Sequence, residues 1–162
     1  MNAFLAGPCR GRSELLHSDA DTVIYEVGDG IATVKINRPE IRNALSPAAA
    51  NRLHDCWGEV DADKSVRVAI LTSADCGTFC AGLDLREAAC VKKEEGVDIL
   101  SKMKDPFHGR QRRVAKPIIA AMTGHLIAGG MMLRRSARLC REAQTGVDGA
   151  LRRGALKCRA HR

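Results

Sequence analysis

The stretch DADKSVRVAILTSADCGTFCAGLDL, residues 61–85, joins a β-rich run to the start of a helix through a polar loop and a glycine turn. Residues 66–71 are mostly aliphatic, and a short run of this kind is typical of a buried strand. Asp84 is followed three residues later by Glu87, and this capping-box spacing predicts a helix that starts at Asp84. The stretch therefore predicts a strand, a turn and a helix in immediate succession.

A second stretch of the same kind is KPIIAAMTGHLIAGGMML, residues 116–133. Its apolar run at 118–122 fits a core strand, and Gly124 and the pair Gly129-Gly130 bracket an apolar turn. Residues 131–133 can begin another helix. Two strand–turn–helix units favour an α/β fold, in which crossovers join strands that are distant in sequence.

Upstream of these units the sequence predicts a hairpin and a helix. Residues 23–27 and 31–36 are strand-like, and Gly28-Asp29-Gly30 between them supplies residues that tolerate positive φ. Ser46-Pro47 then places an N-cap residue before a proline at the first helical position. The predicted helix has one apolar stripe, formed by Ala49, Leu53, Cys56, Trp57 and Val60.

The complete predicted order is strand, strand, helix, strand, helix, helix, strand, helix, without an internal repeat in the sequence. The second of the two adjacent helices is predicted within residues 96–115, where Pro106 and Gly109 interrupt it. A chain of 162 residues is the usual length of one domain.

Charge and composition divide the chain near Leu133. The net charge is +7, and residues 134–162 contain eight Arg and one Lys against one Asp and one Glu, which accounts for the whole excess (9 − 2 = 7). All five aromatic residues precede this tail. We predict a disordered leader at 1–20, a globular domain at 21–133 and a basic tail at 134–162. A frame change or an alternative exon would explain the break in composition.

Composition and cysteine spacing exclude several classes of protein. No apolar run approaches the roughly 18 residues of a membrane helix. The seven cysteines include no CxxC pair and have no regular spacing, which argues against a secreted disulfide framework and a zinc site. We expect reduced thiols, no bound metal and a cytoplasmic protein, with a mitochondrial location as the alternative. The basic tail lacks aromatic residues for base stacking, so we expect a solvated tail rather than a nucleic-acid or anionic-lipid partner.

Two glycine turns, at residues 79–84 and 124–130, hold the candidate chemistry. Each lies between a predicted strand and a predicted helix, where backbone N–H groups are unpaired at the positive end of the helix dipole. Two such ends aimed at one point would make an oxyanion hole. Spacing alone favours ordinary connections, because such turns are common, and neither turn has the dinucleotide-binding or P-loop pattern.

Three segments together resemble the enoyl-CoA hydratase/isomerase (crotonase) family: IATVKINRPEIRNALS at 31–46 and the two stretches at 61–85 and 116–133. The resemblance follows the order of the family from about residue 23 to residue 133, and it rests on NRP…NAL, FCAGLDL and KPIIAAxxGxxxxGG. It implies a crotonase-like α/β fold, a spiral of ββα units that is truncated at the C-terminal side.

The resemblance also implies a function, which is the handling of a coenzyme A thioester in fatty acyl-CoA metabolism. Members of the family stabilise an enolate-like oxyanion and need no separate cofactor. By motif position, the backbone N–H groups of Leu83 and Gly129 would form the oxyanion hole. The positions that match substrate contacts of the family are Arg42, Ala44, Ala81, Leu83, Asp84, Leu85, Gly129 and Met132. A homotrimer is expected for the family, although the part that builds the trimer contact is not found here.

Three of the polar positions have a structural interpretation beside the functional one. Arg42 would bind a phosphate of coenzyme A or remain a solvated charge before a helix. Asp84 would act as an acid or base, or cap its helix, and its spacing to Glu87 favours the cap. His125 would face an acyl pocket or lie in a loop without a catalytic role.

The chain departs from the family at the catalytic carboxylates. Hydratases of the family use two glutamates, and the position of the first is Met132 here. The second would lie beyond Leu133, where we find no family pattern, and Ala128 replaces the first glycine of the family's glycine triplet. The sequence therefore leaves two hypotheses open: an enoyl-CoA hydratase or isomerase, and a catalytically inactive acyl-CoA-binding protein or truncated by-product.

Overall fold

The computed structural model describes residues 19–107, 114–137 and 139–142. In these residues the strands are β1 (Val23–Gly28), β2 (Ile31–Ile36), β3 (Val68–Ser73), β4 (Thr78–Cys80), β5 (Ile118–Met122), β6 (His125–Leu126) and β7 (Leu139–Glu142). The helices are α1 (Pro47–Ala62), α2 (Leu85–Glu95) and α3 (Gly129–Ser136), and short 3-10 helices occupy Asp19–Thr22, Pro39–Ile41 and Ile99–Lys102. Two strands followed by one α-helix therefore occur three times in succession, which agrees with the ββα units that the resemblance implies.

The main sheet has the strand order β1-β2-β3-β5-β7. β1 and β2 pair antiparallel and the other neighbouring pairs are parallel, so the predicted α/β class is confirmed. The β1–β2 hairpin turns through Asp29 and Gly30, whose φ angles are 51° and 78°. Two central residues at positive φ suit the right-handed twist of a tight hairpin. β4 and β6 form a separate two-stranded parallel sheet.

The core lies between the main sheet and α1. Alternate residues of β2 and β3 are buried, because successive side chains of a strand point to opposite faces. The predicted stripe of α1 is confirmed, since all of its members are buried: Ala49, Leu53, Cys56, Trp57 and Val60. Ser46 caps the helix as predicted, and its Oγ accepts a hydrogen bond from Ala49 N at 3.1 Å. Trp57 Nε1 donates to Pro106 O at 2.9 Å, so the polar edge of the indole is satisfied inside the core.

The prediction of a helix within residues 96–115 is wrong for the described residues of that segment, 96–107 and 114–115. The described part of this segment contains one 3-10 turn, Ile99–Lys102, followed by irregular chain. Asn51 on α1 holds that chain, because its Oδ1 accepts from Lys104 N at 2.7 Å. The bond satisfies a backbone group that a helix would have paired internally, and the proline that follows disfavours helix as well. Residues 108–113 lie outside the described residues.

Three short strands are not predicted by the sequence. β4 has three buried residues without alternation and β6 has two residues, so neither is long enough for a periodic signal. β7 pairs in parallel with β5, from Ile119↔Leu139 to Met122↔Glu142. The domain end predicted at Leu133 falls inside α3, and β7 lies beyond it in the main sheet. The division of the chain into leader, domain and tail stays a prediction, since most of residues 1–20 and 134–162 lie outside the described residues.

In the described part of the chain, no helix is long and apolar enough to cross a bilayer. Within the same residues, no group of three or more His, Cys, Asp or Glu side chains is arranged to hold a metal ion.

Candidate functional site

Pairing of β4 with β6 brings the two predicted glycine turns together. The two strands are aligned at Thr78↔His125 and Cys80↔Leu126. His125 N donates to Gly77 O at 3.1 Å, and Ile127 N donates to Cys80 O at 3.0 Å. The turn at 79–84 begins within β4 and the turn at 124–130 contains β6, so the contact places the chain that leads into α2 beside the start of α3.

Two glycines make this contact sterically possible. A Cβ on Gly124 would lie 2.1 Å from Gly77 O, and Gly124 also has a φ of +75°. A Cβ on Gly130 would lie 2.6 Å from Cys80 O. Both distances are far below van der Waals contact, so any side chain at either position would separate the turns. The sequence predicts both glycines as turn residues, and the structure shows that close approach of two backbones is what requires glycine at these positions.

The backbones of the two turns meet at Gly82 and Gly129. A Cβ on Gly82, whose φ is +90°, would lie 3.4 Å from Gly129 N. A Cβ on Gly129 would lie 3.9 Å from the Gly82 carbonyl carbon, the atom to which the Leu83 nitrogen is bonded. The two predicted N–H donors therefore belong to adjoining peptide groups of different segments.

A single β-bridge fixes the direction of the Leu83 peptide. Leu45 N donates to Gly82 O at 2.7 Å, and Asp84 N donates to Leu45 O at 2.9 Å, which pairs Leu83 with Leu45. Because backbone groups alternate in direction along an extended chain, the N–H of Leu83 points away from Leu45. In the part of the chain that is described, neither Leu83 N–H nor Gly129 N–H donates to a protein acceptor. Both N–H groups can therefore donate to an anionic oxygen, and their role as an oxyanion hole stays a prediction.

Ala128, which directly precedes α3, has an unusual backbone conformation. Its φ is 45° and its ψ is −108°, and Gly130 N donates to Ile127 O at 2.9 Å across it. These values resemble the second residue of a type II′ turn, a position at which glycine is strongly preferred. The departure from the family triplet that the sequence shows at Ala128 thus coincides with backbone strain in the structure.

The segment proposed to contact coenzyme A, residues 42–45, lies directly against the first turn. Arg42 has a left-handed backbone, with φ 56° and ψ 39°, and its side chain is exposed. Ala81 N donates to Arg42 O at 3.1 Å, so the amide of Ala81 is occupied. Ala44 is buried, and its carbonyl accepts a hydrogen bond from Arg38 Nη1 at 2.7 Å. The structure therefore brings Arg42, Ala44 and Ala81 together, with Arg42 exposed, Ala81 partly exposed and Ala44 buried.

Asp84 caps α2, which confirms the predicted helix start. Its Oδ1 accepts from Arg86 N at 3.2 Å and from Glu87 N at 3.1 Å. Its Oδ2 accepts from Arg38 Nη2 at 3.3 Å. In a reciprocal capping box the side chain of Glu87 would bond to Asp84 N, but that N–H donates to Leu45 O instead. These bonds give the carboxylate a structural task.

Asn43 is a buried polar residue that the sequence analysis missed. Its Nδ2 donates to Thr78 O at 2.8 Å and to Ala74 O at 2.9 Å, and its Oδ1 accepts from Arg38 N at 3.1 Å. Its φ of 54° is a left-handed conformation that asparagine tolerates. Asn43 therefore fixes the 42–45 segment to the start of β4. The signal in the sequence that could have revealed this role is an asparagine two residues after the turn-forming residues Pro39–Ile41.

The remaining predicted contacts, Leu85 and Met132, are exposed apolar side chains on the helices that follow the two turns. Leu85 is 74% exposed at the start of α2, and Met132 is 38% exposed on α3. Ile127, in the second turn, is also an exposed apolar side chain, at 53%. His125 is exposed at the start of β6. The thiol of Cys80 is buried, and burial raises its pKa to about 11, so it is protonated rather than nucleophilic at neutral pH.

Comparison with known proteins adds an independent observation. A profile of the enoyl-CoA hydratase/isomerase family matches residues 26–145. The chain is 41% identical over 123 residues to enoyl-CoA hydratase EchA19 of Mycobacterium tuberculosis, which covers 71% of this chain and 43% of that protein. It is 35% identical over 116 residues to (E)-benzylidenesuccinyl-CoA hydratase of Thauera aromatica, which covers 67% of this chain and 42% of that protein. The chain therefore spans less than half the length of the curated relatives that it matches.

A solved structure supports the same relationship. The crystal structure of an enoyl-CoA hydratase from Mycobacterium tuberculosis superposes with a TM-score of 0.61 at 35% sequence identity. The superposition covers 75% of this chain and 46% of that one. This likeness confirms the crotonase-like α/β fold, of which the chain contains the N-terminal part.

Proposed function

The chain belongs to the enoyl-CoA hydratase/isomerase family, and on that premise we propose that it binds an acyl-CoA thioester and stabilises the thioester enolate with the N–H groups of Leu83 and Gly129. The observation that carries the proposal is the adjoining pair of N–H groups, neither of which has a protein acceptor in the described part of the chain. Because both donors are backbone groups, the side chain at position 83 is not constrained by the chemistry.

The proposed chemistry follows from where negative charge develops. When a proton leaves the carbon next to the thioester carbonyl, or water adds to the conjugated double bond, electron density moves onto the carbonyl oxygen. Two fixed N–H dipoles at the starts of α2 and α3 stabilise that oxygen more strongly in the enolate than in the ground state. Each donor of this type is worth about 2.7–4 kcal/mol of transition-state stabilisation. No cofactor is needed besides the coenzyme A that the substrate brings.

We assign the coenzyme A moiety to the 42–45 segment. The exposed side chain of Arg42 is proposed to bind a phosphate, and the partly exposed Ala81 is proposed to contact the pantetheine chain, with the buried Ala44 supporting the segment from below. Leu85 and Met132 are proposed to contact the acyl chain, because both are exposed apolar side chains beside the two turns.

A second candidate function is binding of an acyl-CoA thioester without turnover. It is favoured by Met132, which stands where the family resemblance expects the first catalytic glutamate and whose thioether cannot transfer a proton. Such a protein would retain the backbone donors and lack the acid and base. The resemblance implies a homotrimer for the family, but the part that builds the trimer contact is not found here, and sedimentation equilibrium of the purified chain measures its oligomeric state.

Calorimetric titration with crotonyl-CoA, together with an absorbance assay of the enoyl thioester, separates these candidates. Saturable binding with turnover supports the enzyme, saturable binding without turnover supports the binding protein, and a flat titration contradicts both. Leu83→Pro removes the N–H donor, whereas Leu83→Ala keeps it and is the matched control. We expect Leu83→Pro to lose about 10²–10³-fold in any measurable rate, with Leu83→Ala close to the wild type. Thermal unfolding of both variants shows whether each remains folded.

A further inference from the structure

Arg38 lies between the two segments that are proposed to bind the thioester. Its Nη1 donates to Ala44 O at 2.7 Å. Its Nη2 donates to Asp84 Oδ2 at 3.3 Å and lies 3.9 Å from Glu87 Oε2. One guanidinium therefore joins the backbone of the 42–45 segment to the carboxylate that ends the 79–84 turn.

Partial burial strengthens these contacts. The side chains of Arg38 and Asp84 are 15% and 12% exposed. Hydrogen bonds between charged groups are stronger than neutral ones, and salt screens them less when they are shielded from water. The two oxygens of Asp84 have separate tasks, since Oδ1 caps α2 and Oδ2 accepts from Arg38. The carboxylate is therefore fixed from two sides.

The same contacts span the β-bridge that orients Leu83. Leu45 follows Ala44, whose carbonyl Arg38 holds, and Asp84 follows Leu83. The two backbone bonds of the bridge, Leu45 N to Gly82 O and Asp84 N to Leu45 O, run between these anchored residues. A shift of either anchored residue would turn the Leu83 peptide.

We propose that Arg38 is a positioning residue, which sets the direction of the Leu83 N–H and the place of Ala44 without touching the substrate. This inference rests on the proposed function, because it concerns the same donor and the same coenzyme A segment. Lysine cannot replace arginine in this role, since a single ammonium group cannot bond to a carbonyl and a carboxylate in the fixed fork of a guanidinium.

The test uses the full chain with two variants and a control. Arg38→Met removes the charge, and Arg38→Lys keeps the charge but loses the fork. Arg52→Met is the matched control, because Arg52 also forms an ion pair with a glutamate but lies on α1. The probe is cinnamoyl-CoA, whose conjugated carbonyl absorbs at longer wavelength when it accepts hydrogen bonds. Calorimetry with coenzyme A alone measures the affinity for the moiety assigned to the 42–45 segment, separately from the oxyanion contact.

For both Arg38 variants we expect the wavelength shift of bound cinnamoyl-CoA to fall by at least half and coenzyme A affinity to fall about tenfold. Arg52→Met should match the wild type in both. A purely structural role would lower the folded fraction without moving the wavelength of the bound ligand. If Arg38→Met does not fold, the wavelength shift and coenzyme A affinity of Arg38→Lys test the inference.

Two outcomes separate a failure of this inference from a failure of the proposed function. If the wild type binds and both Arg38 variants give its full wavelength shift, Arg38 does not position the donor and the proposed function still stands. If the wild type binds no thioester, the proposed function fails, and hydrogen exchange of the Leu45 amide then tests whether Arg38 positions the bridge. Faster exchange of the Leu45 amide in Arg38→Lys than in Arg52→Met then supports the positioning of the bridge, whereas equal exchange contradicts it.

Discussion

Replacing Ala128 by glycine should stabilise the protein. Ala128 has φ 45° and ψ −108°, a conformation that glycine adopts readily and alanine does not. A non-glycine residue held in such a region costs about 1–3 kcal/mol. Glycine gives the unfolded chain extra freedom, which offsets about 0.4–1 kcal/mol of the gain. Because Ala128 is exposed, loss of its methyl group removes little buried surface. The net gain should be about 0.5–2 kcal/mol.

Urea denaturation of the wild type and of Ala128→Gly measures this gain, and the slope of the transition shows whether the unfolding reaction is the same in both. In a thermal scan the gain corresponds to a rise of about 1–8 °C for a chain of this length. Ala89→Gly, at an exposed position inside α2, is the matched control and should lose about 1 kcal/mol, since glycine is a poor helix former. The reasoning is refuted if both substitutions destabilise the protein to the same extent.

Two more predictions concern the same pair of turns. Gly124→Ala should destabilise the protein by about 2–6 kcal/mol, because the added Cβ would overlap Gly77 O and the backbone has a positive φ. Gly77→Ala is the control: its Cβ meets open space, so the positive φ alone should cost about 1–2 kcal/mol. Equal losses of stability in urea denaturation would contradict the close approach at Gly124. Cys80 should resist iodoacetamide at pH 8, because burial raises its pKa to about 11 and leaves roughly one thiol in a thousand ionised. The partly exposed Cys90 should react, and peptide mass mapping measures the labelling of both cysteines. Early labelling of Cys80 in the folded protein would contradict its burial.

Elements whose signal is local could be predicted from the sequence. The apolar stripe of α1, the serine cap before it and the Asp84 cap of α2 depend on residues a few positions apart, and each is found where the spacing places it. The hairpin at Asp29-Gly30 is of the same kind, since the turn residues themselves select the backbone. The continuous apolar run at 118–122 likewise predicts β5, because five consecutive apolar residues are enough to indicate a buried strand.

Elements that depend on distant partners could not be predicted in this way. β4 and β6 contain three and two residues, and they exist because they pair with each other across more than 40 residues of chain (125 − 78 = 47). The chain after Ile99–Lys102 has helix-forming residues, but Asn51 on α1 takes its backbone bonds instead. The repeated ββα order is hidden for the same reason, since its second strand is too short in two of the three units to leave a repeat in the sequence.

The N–H donors of the candidate site could be predicted from the sequence, but the residues that hold those donors in place could not, because they lie in other parts of the chain. The donors at Leu83 and Gly129 follow from motif position, yet nothing in the motifs says that Gly124 and Gly130 must let two backbones touch. Arg38 precedes the donor at position 83 by 45 residues (83 − 38), so its bond to Asp84 has no local signal at all. A substitution at such a supporting residue should therefore disturb the backbone donors more than a side-chain change at the donor residue itself. The comparison of Arg38→Lys with Leu83→Ala measures that expectation directly. The first alters a residue that is proposed not to touch the ligand, the second leaves the donor N–H in place, and only the first should reduce the wavelength shift of the bound thioester.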